Sequence, residues 1–188
     1  DGQAKLLRSK GFIAGCGGLG GSITELCARL GIGHIVLADG DVFEESNLNR
    51  QLICQESVIG KSKVLCAKDR ITSINSGIDV TVYDMFIDED NVYHFIGGCD
   101  CVIDALDNVE SRLILQNACR ERRIPMVHGA VGDTSLQAAS VMPGEDLLNT
   151  IYKSGLKSTD KICPANPAVT VMMCAAVEAG EVLKILLG

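Results

Sequence analysis

The chain has no Trp, and its aromatic residues are four Phe and three Tyr in 188 positions. Stacking platforms for single-stranded nucleic acid therefore have little to be built from. Basic residues are also short: 17 Lys and Arg stand against 24 Asp and Glu, a net charge of −7. That balance argues against a broad basic face for nucleic acid, though not against a local basic pocket. No Cys-x-x-Cys pair occurs among the nine cysteines, Cys16, Cys27, Cys54, Cys66, Cys99, Cys101, Cys119, Cys163 and Cys174. Scattered through apolar segments, they read as buried, reduced thiols of a cytoplasmic protein rather than a disulfide framework. No apolar run is long enough to span a membrane; the longest, near Ala168–Val177, is broken by Glu178 and Glu181. No internal repeat or Pro/Ser-rich linker is seen, and no secretory leader is expected. The chain opens at Asp1-Gly2-Gln3 without Met, from which we expect an upstream segment to have been trimmed.

What is present is an ordinary globular core, 47% apolar and 22% charged, of a length that suits one domain over residues 1–188. Phe12–Ala14 is a short apolar run leading into a glycine cluster. From Leu19 to Leu30 apolar residues recur at helical spacing until Gly31, and His34–Asp39 is β-branched and ends in an acid. Beyond the polar stretch Asp41–Gln51, helices are expected at Lys61–Ile74, Asp88–Phe95, Asn108–Arg123 and Ala168–Leu187. Strands are expected at Asp79–Asp84, Cys101–Asp104, Pro125–His128 and Ser135–Met142, with Leu147–Asn166 irregular. Alternating strands and helices predict an α/β, doubly wound, Rossmann-like fold. Its sheet is mainly parallel, with an antiparallel C-terminal extension and a final buried helix that is apolar on most faces.

Gly15-x-Gly17-x-x-Gly20 follows a strand and opens a helix. Gly15 suits a tight turn, Gly17 and Gly18 close approach of backbone to phosphate, and Gly20 close helix–strand packing; the free N–H groups of the helix start face the anion. Asp39 lies 19 residues after Gly20, at a strand end, where its carboxylate can accept from ribose hydroxyls. The set points to a nucleotide. A nicotinamide-dependent oxidoreductase is one continuation, but it needs a further substrate domain that this length does not supply. It also leaves Asn47, Arg50 and Lys63 without a role.

Arg50 and Lys63 are well placed in sequence to meet a triphosphate, Arg as a planar fork and Lys as a point charge. Taken singly, each reads better as solvated surface charge, and Asn47 and Gln51 as turn residues. Asp104-Ala105-Leu106-Asp107-Asn108 ends a strand, so its two acids can hold Mg²⁺ on phosphates. Asp107 or Asn108 can also cap the following helix, and one cap suffices.

These stretches resemble the ThiF/MoeB/HesA family, relatives of the adenylation domain of ubiquitin-activating enzymes. The matching segments are GCGGLG, LADGDVFEESNLNRQ, IGKSK, VIDALDN followed by Arg112, and the ending EAGEVLKILLG. The resemblance implies ATP and Mg²⁺ as cofactors. Gly15, Gly17, Gly18, Leu19 and Gly20 would bind phosphate, Asp39 would bind the ribose, and Asp41 would be among the cofactor-binding residues. Asn47, Arg50, Gln51 and Lys63 would surround the triphosphate, with Asp107 on Mg²⁺ beside Asn108. It further implies adenylation of the C-terminal Gly-Gly carboxylate of a ubiquitin-like sulfur carrier protein, and a homodimer.

Three departures from the family stand out. Many members carry two Cys-x-x-Cys pairs for zinc; after Val141-Met142-Pro143-Gly144 this chain reads Glu145-Asp146-Leu147-Leu148-Asn149, so no zinc is expected. Members carry an upstream helix whose arginine enters the partner's ATP site; Arg8 is not at that position, and the chain reads as a fragment lacking that helix and impaired in activity. Some members hold the carrier on a cysteine before the last helix; Cys163 lies in about that place, read either as that conjugating thiol or as a buried one. Two alternatives to carrier adenylation remain. One is a tRNA threonylcarbamoyladenosine dehydratase-like enzyme, whose relatives also lack zinc pairs; the other is a non-catalytic nucleotide-binding scaffold subunit. His34, His94 and His128 show no metal-ligand spacing and read as strand and core positions, and Cys99-x-Cys101 reads as packing.

Overall fold

The computed structural model describes residues 1–153 and 166–188. Its elements are α1 (Gly2–Arg8), β1 (Lys10–Ala14), α2 (Gly18–Leu30), β2 (His34–Ala38), α3 (Lys63–Ile74), β3 (Asp79–Tyr83) and α4 (Val92–Phe95). They continue with β4 (Cys101–Asp104), α5 (Val109–Arg122), β5 (Met126–Gly132), β6 (Ser135–Val141), α6 (Leu147–Lys153) and α7 (Ala168–Leu187). The six strands form one sheet in the order β3-β2-β1-β4-β5-β6. All pairings are parallel except β5 with β6, which runs antiparallel from Met126 opposite Val141 to Gly132 opposite Ser135.

The strands alternate between two cores. Ile13, Leu37 and Ile103 face α2, α3 and α7, through Ile23, Cys27, Val64, Ile71, Cys174 and Val182. Phe12, Val36 and Val102 face α4, α5 and α6, through Phe95, Leu115 and Leu148. A strand covered on both faces needs an apolar residue at every position, which is why Phe12–Ala14 and Cys101–Ile103 are continuous runs. The chain winds outward from β1 to β3, then crosses back to β4 on the other side of β1. The switch point therefore lies between the carboxyl ends of β1 and β4.

Several elements differ from the sequence expectation. Residues 2–8 are helical, with Asp1 accepting from Gln3 N at 3.2 Å as cap. The third helix starts at Lys63, because the Ser62 hydroxyl caps it. The fourth begins at Val92, since Asp88 holds the preceding residues in a turn by accepting from Asp90 N and Asn91 N. Within the stretch read as irregular, Leu147–Lys153 is helical; Leu148 N donates to Gln116 Oε1 at 2.6 Å while Gln116 Nε2 donates to Asp146 Oδ1. Helix α7 buries Thr170, Val171, Cys174, Ala175, Glu178, Ala179 and Val182. A second stripe, Val169, Met172, Met173 and Val177, stays exposed, so the helix is not apolar inward on most faces but split in two. Among the described residues no helix is long and apolar enough to cross a membrane.

One of the buried acids has no cationic or N–H partner among the described residues. Glu178 is fully buried, its Oε1 without a hydrogen-bond partner and its Oε2 3.7 Å from the Cys174 thiol. Gly129 on β5 makes room for it: a Cβ there would lie 2.2 Å from the carboxyl carbon. Burial pushes the Glu178 pKa well above its ordinary 4.5, the nearby Asp104 charge adding to the effect. An acid whose pKa is higher folded than unfolded takes up a proton on folding, so it costs stability progressively as pH rises above its unfolded value. Glu178→Gln should therefore gain in melting temperature relative to the parent as pH is raised from 5 to 8. A difference that stays flat over that range in a thermal melt would refute the buried-acid assignment.

Candidate functional site

The site is built at the switch point from three loops. The first is the glycine turn. Gly15 has φ +92°, and a Cβ on it would lie 2.8 Å from Ala105 O in the loop after β4. A Cβ on Gly20 would lie 1.8 Å from Gly15 O and 3.2 Å from Ala105 Cβ. Glycine here is thus what lets β1, α2 and the β4–α5 loop meet. Gly17 caps α2 with no side-chain hydrogen bond, so the first-turn N–H groups of Gly18, Leu19 and Gly20 have no side-chain acceptor at that cap. The Leu19 side chain is in the core, leaving its backbone to face a ligand.

Asp39 ends the site's second strand and is buried. Its Oδ2 accepts from Cys16 N at 2.6 Å and its Oδ1 from Asp41 N at 2.8 Å. Burial pushes its pKa up, and these two N–H groups and Lys63 pull it back. Asp39 therefore ties the glycine turn to the next loop, and each oxygen keeps a further lone pair for a hydroxyl donor.

The second loop runs from Asp41 to Ser62, closed by an isolated antiparallel bridge between Val42 and Ser62. Asn47 organises it. Its Oδ1 accepts from Glu44 N at 3.0 Å, and its carbonyl accepts from Arg50 N and Gln51 N. The turn role considered for Asn47 is the one its Oδ1 performs. Gln51 is buried, its Nε2 3.5 Å from where a Cβ on Gly17 would be, and its Oε1 has no partner. An orphaned amide oxygen against a glycine cradle is a polar group left for a ligand or water to satisfy. Arg50 O lies 3.8 Å from the same construction on Gly18, while its guanidinium Nη1 donates to Ser46 O and Asn49 Oδ1, both at 2.9 Å. Lys63 is 7% exposed and pairs with the exposed Asp41 carboxylate at 2.9 Å. Its charge acts on both Cys16 and Asp39 and lowers the pKa of each.

The third loop follows β4. The two acids read together from the sequence part company here. Asp104 is fully buried, accepting from His128 Nδ1 at 2.7 Å and Leu106 N at 3.1 Å, and is not available to a cation. Asp107 is exposed. Asn108 takes the cap of α5, accepting from Ser111 N at 2.9 Å, so the Asp107 carboxylate is left with one long contact from Asn108 Nδ2 at 3.4 Å. An exposed, uncapped carboxylate beside a glycine cradle fits a Mg²⁺ shell that phosphates and water complete.

Cys163 lies outside the described residues. The eight described cysteines are free, and burial pushes Cys27, Cys119 and Cys174 to about 12 and Cys99 to about 11, so these thiols are poor nucleophiles. Among the described residues no three His, Cys, Asp or Glu side chains gather as metal ligands. His34 bonds Thr81 Oγ1, His94 is exposed on α4 against the Tyr83 hydroxyl instead of in a core, and His128 is buried. Sequence reading left Arg112 without a role. It sits four residues into α5 from the cap, a spacing that points a long side chain back at the preceding loop.

The model of the ThiF family matches residues 1–188. The sulfur carrier protein ThiS adenylyltransferase of Bacillus subtilis is 35% identical over 196 residues, covering 100% of this chain and 57% of its own length. Among solved structures, E. coli MccB with ATP superposes with a TM-score of 0.81 at 26% identity, covering 98% of this chain and 57% of that one. E. coli tRNA N6-threonylcarbamoyladenosine dehydratase also reaches a TM-score of 0.81 at 26% identity, with 98% and 88% coverage. The chain thus spans little more than half of the first two and most of the third.

Proposed function

The chain belongs to the ThiF family, and we propose that it activates a carboxylate by adenylation, with the C-terminal glycine of a small ubiquitin-like sulfur carrier as acceptor. The observation that carries this is the convergence of three loops on the glycine turn. Gln51 and Arg50 abut Gly17 and Gly18, the charge of Lys63 is felt at Cys16, and the loop bearing Asp107 touches Gly15 and Gly20. The ThiS adenylyltransferase and the ATP complex of MccB support the same reading.

In this reading the carrier carboxylate attacks the α-phosphorus of ATP, pyrophosphate leaves and an acyl adenylate remains. The nucleophile is already ionised, so no general base is called for. The difficulty is bringing two anions together, and positioning with charge neutralisation must meet it. The α2 N-terminus presents N–H groups to phosphate. Asp39 holds the ribose side. Arg50 and Lys63 exchange their present partners, Ser46 O and Asp41, for phosphate oxygens. Asp107 would hold Mg²⁺, which when bound would supply further neutralisation of the phosphates.

Arg50→Ala should lower ATP–pyrophosphate exchange by about 10²–10³-fold, the scale seen when one charge-stabilising donor is removed. Its guanidinium bonds only within its own loop, so the fold should be retained. Circular dichroism with an exchange assay separates the two; near-normal exchange would remove Arg50 from the site.

The homodimer and a cytoplasmic setting belong to the same proposal. The exposed stripe of α7 and the free thiols support them. A second reading takes a tRNA-borne carboxylate as acceptor. The 88% coverage of the dehydratase favours it, and the −7 charge opposes it, since tRNA demands phosphate contacts from Lys and Arg. Exchange stimulated by a Gly-Gly-ended carrier and not by tRNA supports the first reading; the reverse establishes the second.

A further inference from the structure

Behind the exposed Asp107 lies a closed circuit of polar groups, Asp104, Arg112 and His128 buried and Tyr152 and Gln137 half-buried, that the nucleotide chemistry does not use. Arg112 is 8% exposed, and its guanidinium clamps one carbonyl: Nε donates to Leu106 O at 3.1 Å and Nη2 donates to the same oxygen. Nη2 also reaches Gly129 O on β5 at 3.3 Å, and Nη1 donates to the Tyr152 hydroxyl of α6 at 2.7 Å. Asp104 Oδ2, 3.8 Å from Nε, balances the charge. The circuit closes through His128. Its Nδ1 donates to Asp104 at 2.7 Å, and its Nε2 faces Tyr152 Oη at 3.5 Å and Gln137 Nε2 at 3.0 Å. With Nδ1 as donor, Nε2 is an acceptor, so Gln137 and the Tyr152 hydroxyl both point protons at it. The His128 and Tyr152 rings meet edge to face, 6.2 Å apart at 90°.

The Leu106 carbonyl belongs to the peptide plane that carries Asp107. Asp107 itself makes only the long contact with Asn108, so its direction is inherited from that plane. The other ties of the loop, Ala105 N to Ala14 O and Ser111 N to Asn108 Oδ1, fix its two ends. In the middle, Leu106 N donates to Asp104 Oδ1 at 3.1 Å through the preceding peptide, and the carbonyl of the Leu106–Asp107 peptide itself is held by Arg112.

We propose that Tyr152, acting through Arg112 on the Leu106–Asp107 peptide, is a positioning residue for cation binding at Asp107. This rests on the adenylation reading, which makes Asp107 the cation ligand. The hydroxyl holds the guanidinium in the plane that lets it fork onto one oxygen. Without it, Nη1 is a buried donor with no acceptor, and the fork rotates to find one. A shift of the carboxylate by a fraction of an ångström then weakens a ligand that octahedral Mg²⁺ tolerates poorly out of place.

The test is a Mn²⁺ titration, followed by electron paramagnetic resonance, of the full chain with ATP. Tyr152→Phe keeps the ring against His128 and removes only the hydroxyl. We expect Mn²⁺ affinity to fall about 5–10-fold, and the Mg²⁺ concentration for half-maximal exchange to rise by the same factor. The rate at saturating Mg²⁺ should stay within about twofold, a split that general loosening of the fold would not give. Asp107→Asn is the reference and should lose more than Tyr152→Phe. Gln137→Leu, which opens the circuit on the far side of His128, should change affinity less than twofold. If Asp107→Asn weakens Mn²⁺ binding and Tyr152→Phe does not, the positioning role is wrong and the adenylation reading stands. If Asp107→Asn leaves binding unchanged, the cation assignment fails and takes the clamp with it. Equal losses in Tyr152→Phe and Gln137→Leu would reduce the circuit to a folding element and overturn the proposal. Should Tyr152→Phe not fold, Arg112→Lys, which keeps the charge and loses the fork, takes its place in the same titration.

Discussion

Asp107→Ala is expected to lower ATP–pyrophosphate exchange by about 10³-fold or more while leaving the protein folded, the loss reported when a charge-stabilising group is taken from phosphoryl or acyl transfer. The asymmetry follows from where the carboxylate sits. It is exposed and accepts only a 3.4 Å contact from Asn108, so the folded state gives up little with it. Asn108 keeps the cap of α5. What is lost near that helix start is a favourable charge–dipole interaction, about 0.3–1 kcal/mol. For a chain of this size that is roughly 1–4 °C in melting temperature. The proposed chemistry, by contrast, loses the only free carboxylate of the β4–α5 loop, because Asp104 is locked to His128. Exchange assays and thermal melts on the same preparation decide the matter. Near-normal exchange would sink the assignment of Asp107, and unfolding would show that its role is structural.

Gly20→Ala should destabilise the protein by about 3 kcal/mol or more and abolish ATP binding with it, at the upper end of what forcing atoms into a packed site costs. The added Cβ would sit 1.8 Å from Gly15 O, a backbone atom that cannot rotate away, and 3.2 Å from Ala105 Cβ. Helix α2 would have to move off β1, and Ile23 and Cys27 would leave the core as it did. Gly21→Ala is the contrast. Its nearest neighbours would be Cys16 O at 3.5 Å and Ile53 at 3.6 Å, ordinary van der Waals contact. There alanine should be neutral or stabilise by up to about 1 kcal/mol through the loss of chain freedom when unfolded. Urea unfolding of the pair reads the difference; equal midpoints would refute the close-approach argument.

The parts of the site legible in the sequence were those fixed by local rules. Gly15, Gly17 and Gly20 signal a strand-to-helix turn, Gly15 and Gly20 because a side chain at either would meet backbone, and an acid at the end of the next strand completes the pattern at Asp39. The mainly parallel, doubly wound character of the sheet followed from continuous apolar runs alternating with helices. What escaped was set by partners distant in the chain. Leu147–Lys153 carries no strong helical signal, and Gln116 and the apolar pocket around Leu148 make it a helix. Asp104 and Asp107 look alike three residues apart. The alternation of the strand decides that one turns inward to His128, and the cap at Asn108 leaves the other outside. Lys63 read as free for phosphate, but its pairing with Asp41 joins positions 22 residues apart. The double face of α7 could not be assigned because both stripes are apolar, and composition alone does not say which one meets the sheet.

The pairing of β1 with β4 has a kinetic meaning. Gly11 pairs with Cys101, ninety residues away in the chain, and only that pairing brings Ala105 against Gly15. Every other parallel neighbour of β1 and β2 is nearer in sequence. Closing so long a loop is entropically slow and comes after local helices and the β1–α2–β2 unit have formed. The cradle for phosphate is thus a property of the finished sheet. A folding intermediate holding β1, β2 and β3 would carry every glycine of the fingerprint and still have no third wall, so the recovery of nucleotide binding marks the last step of folding and not the first.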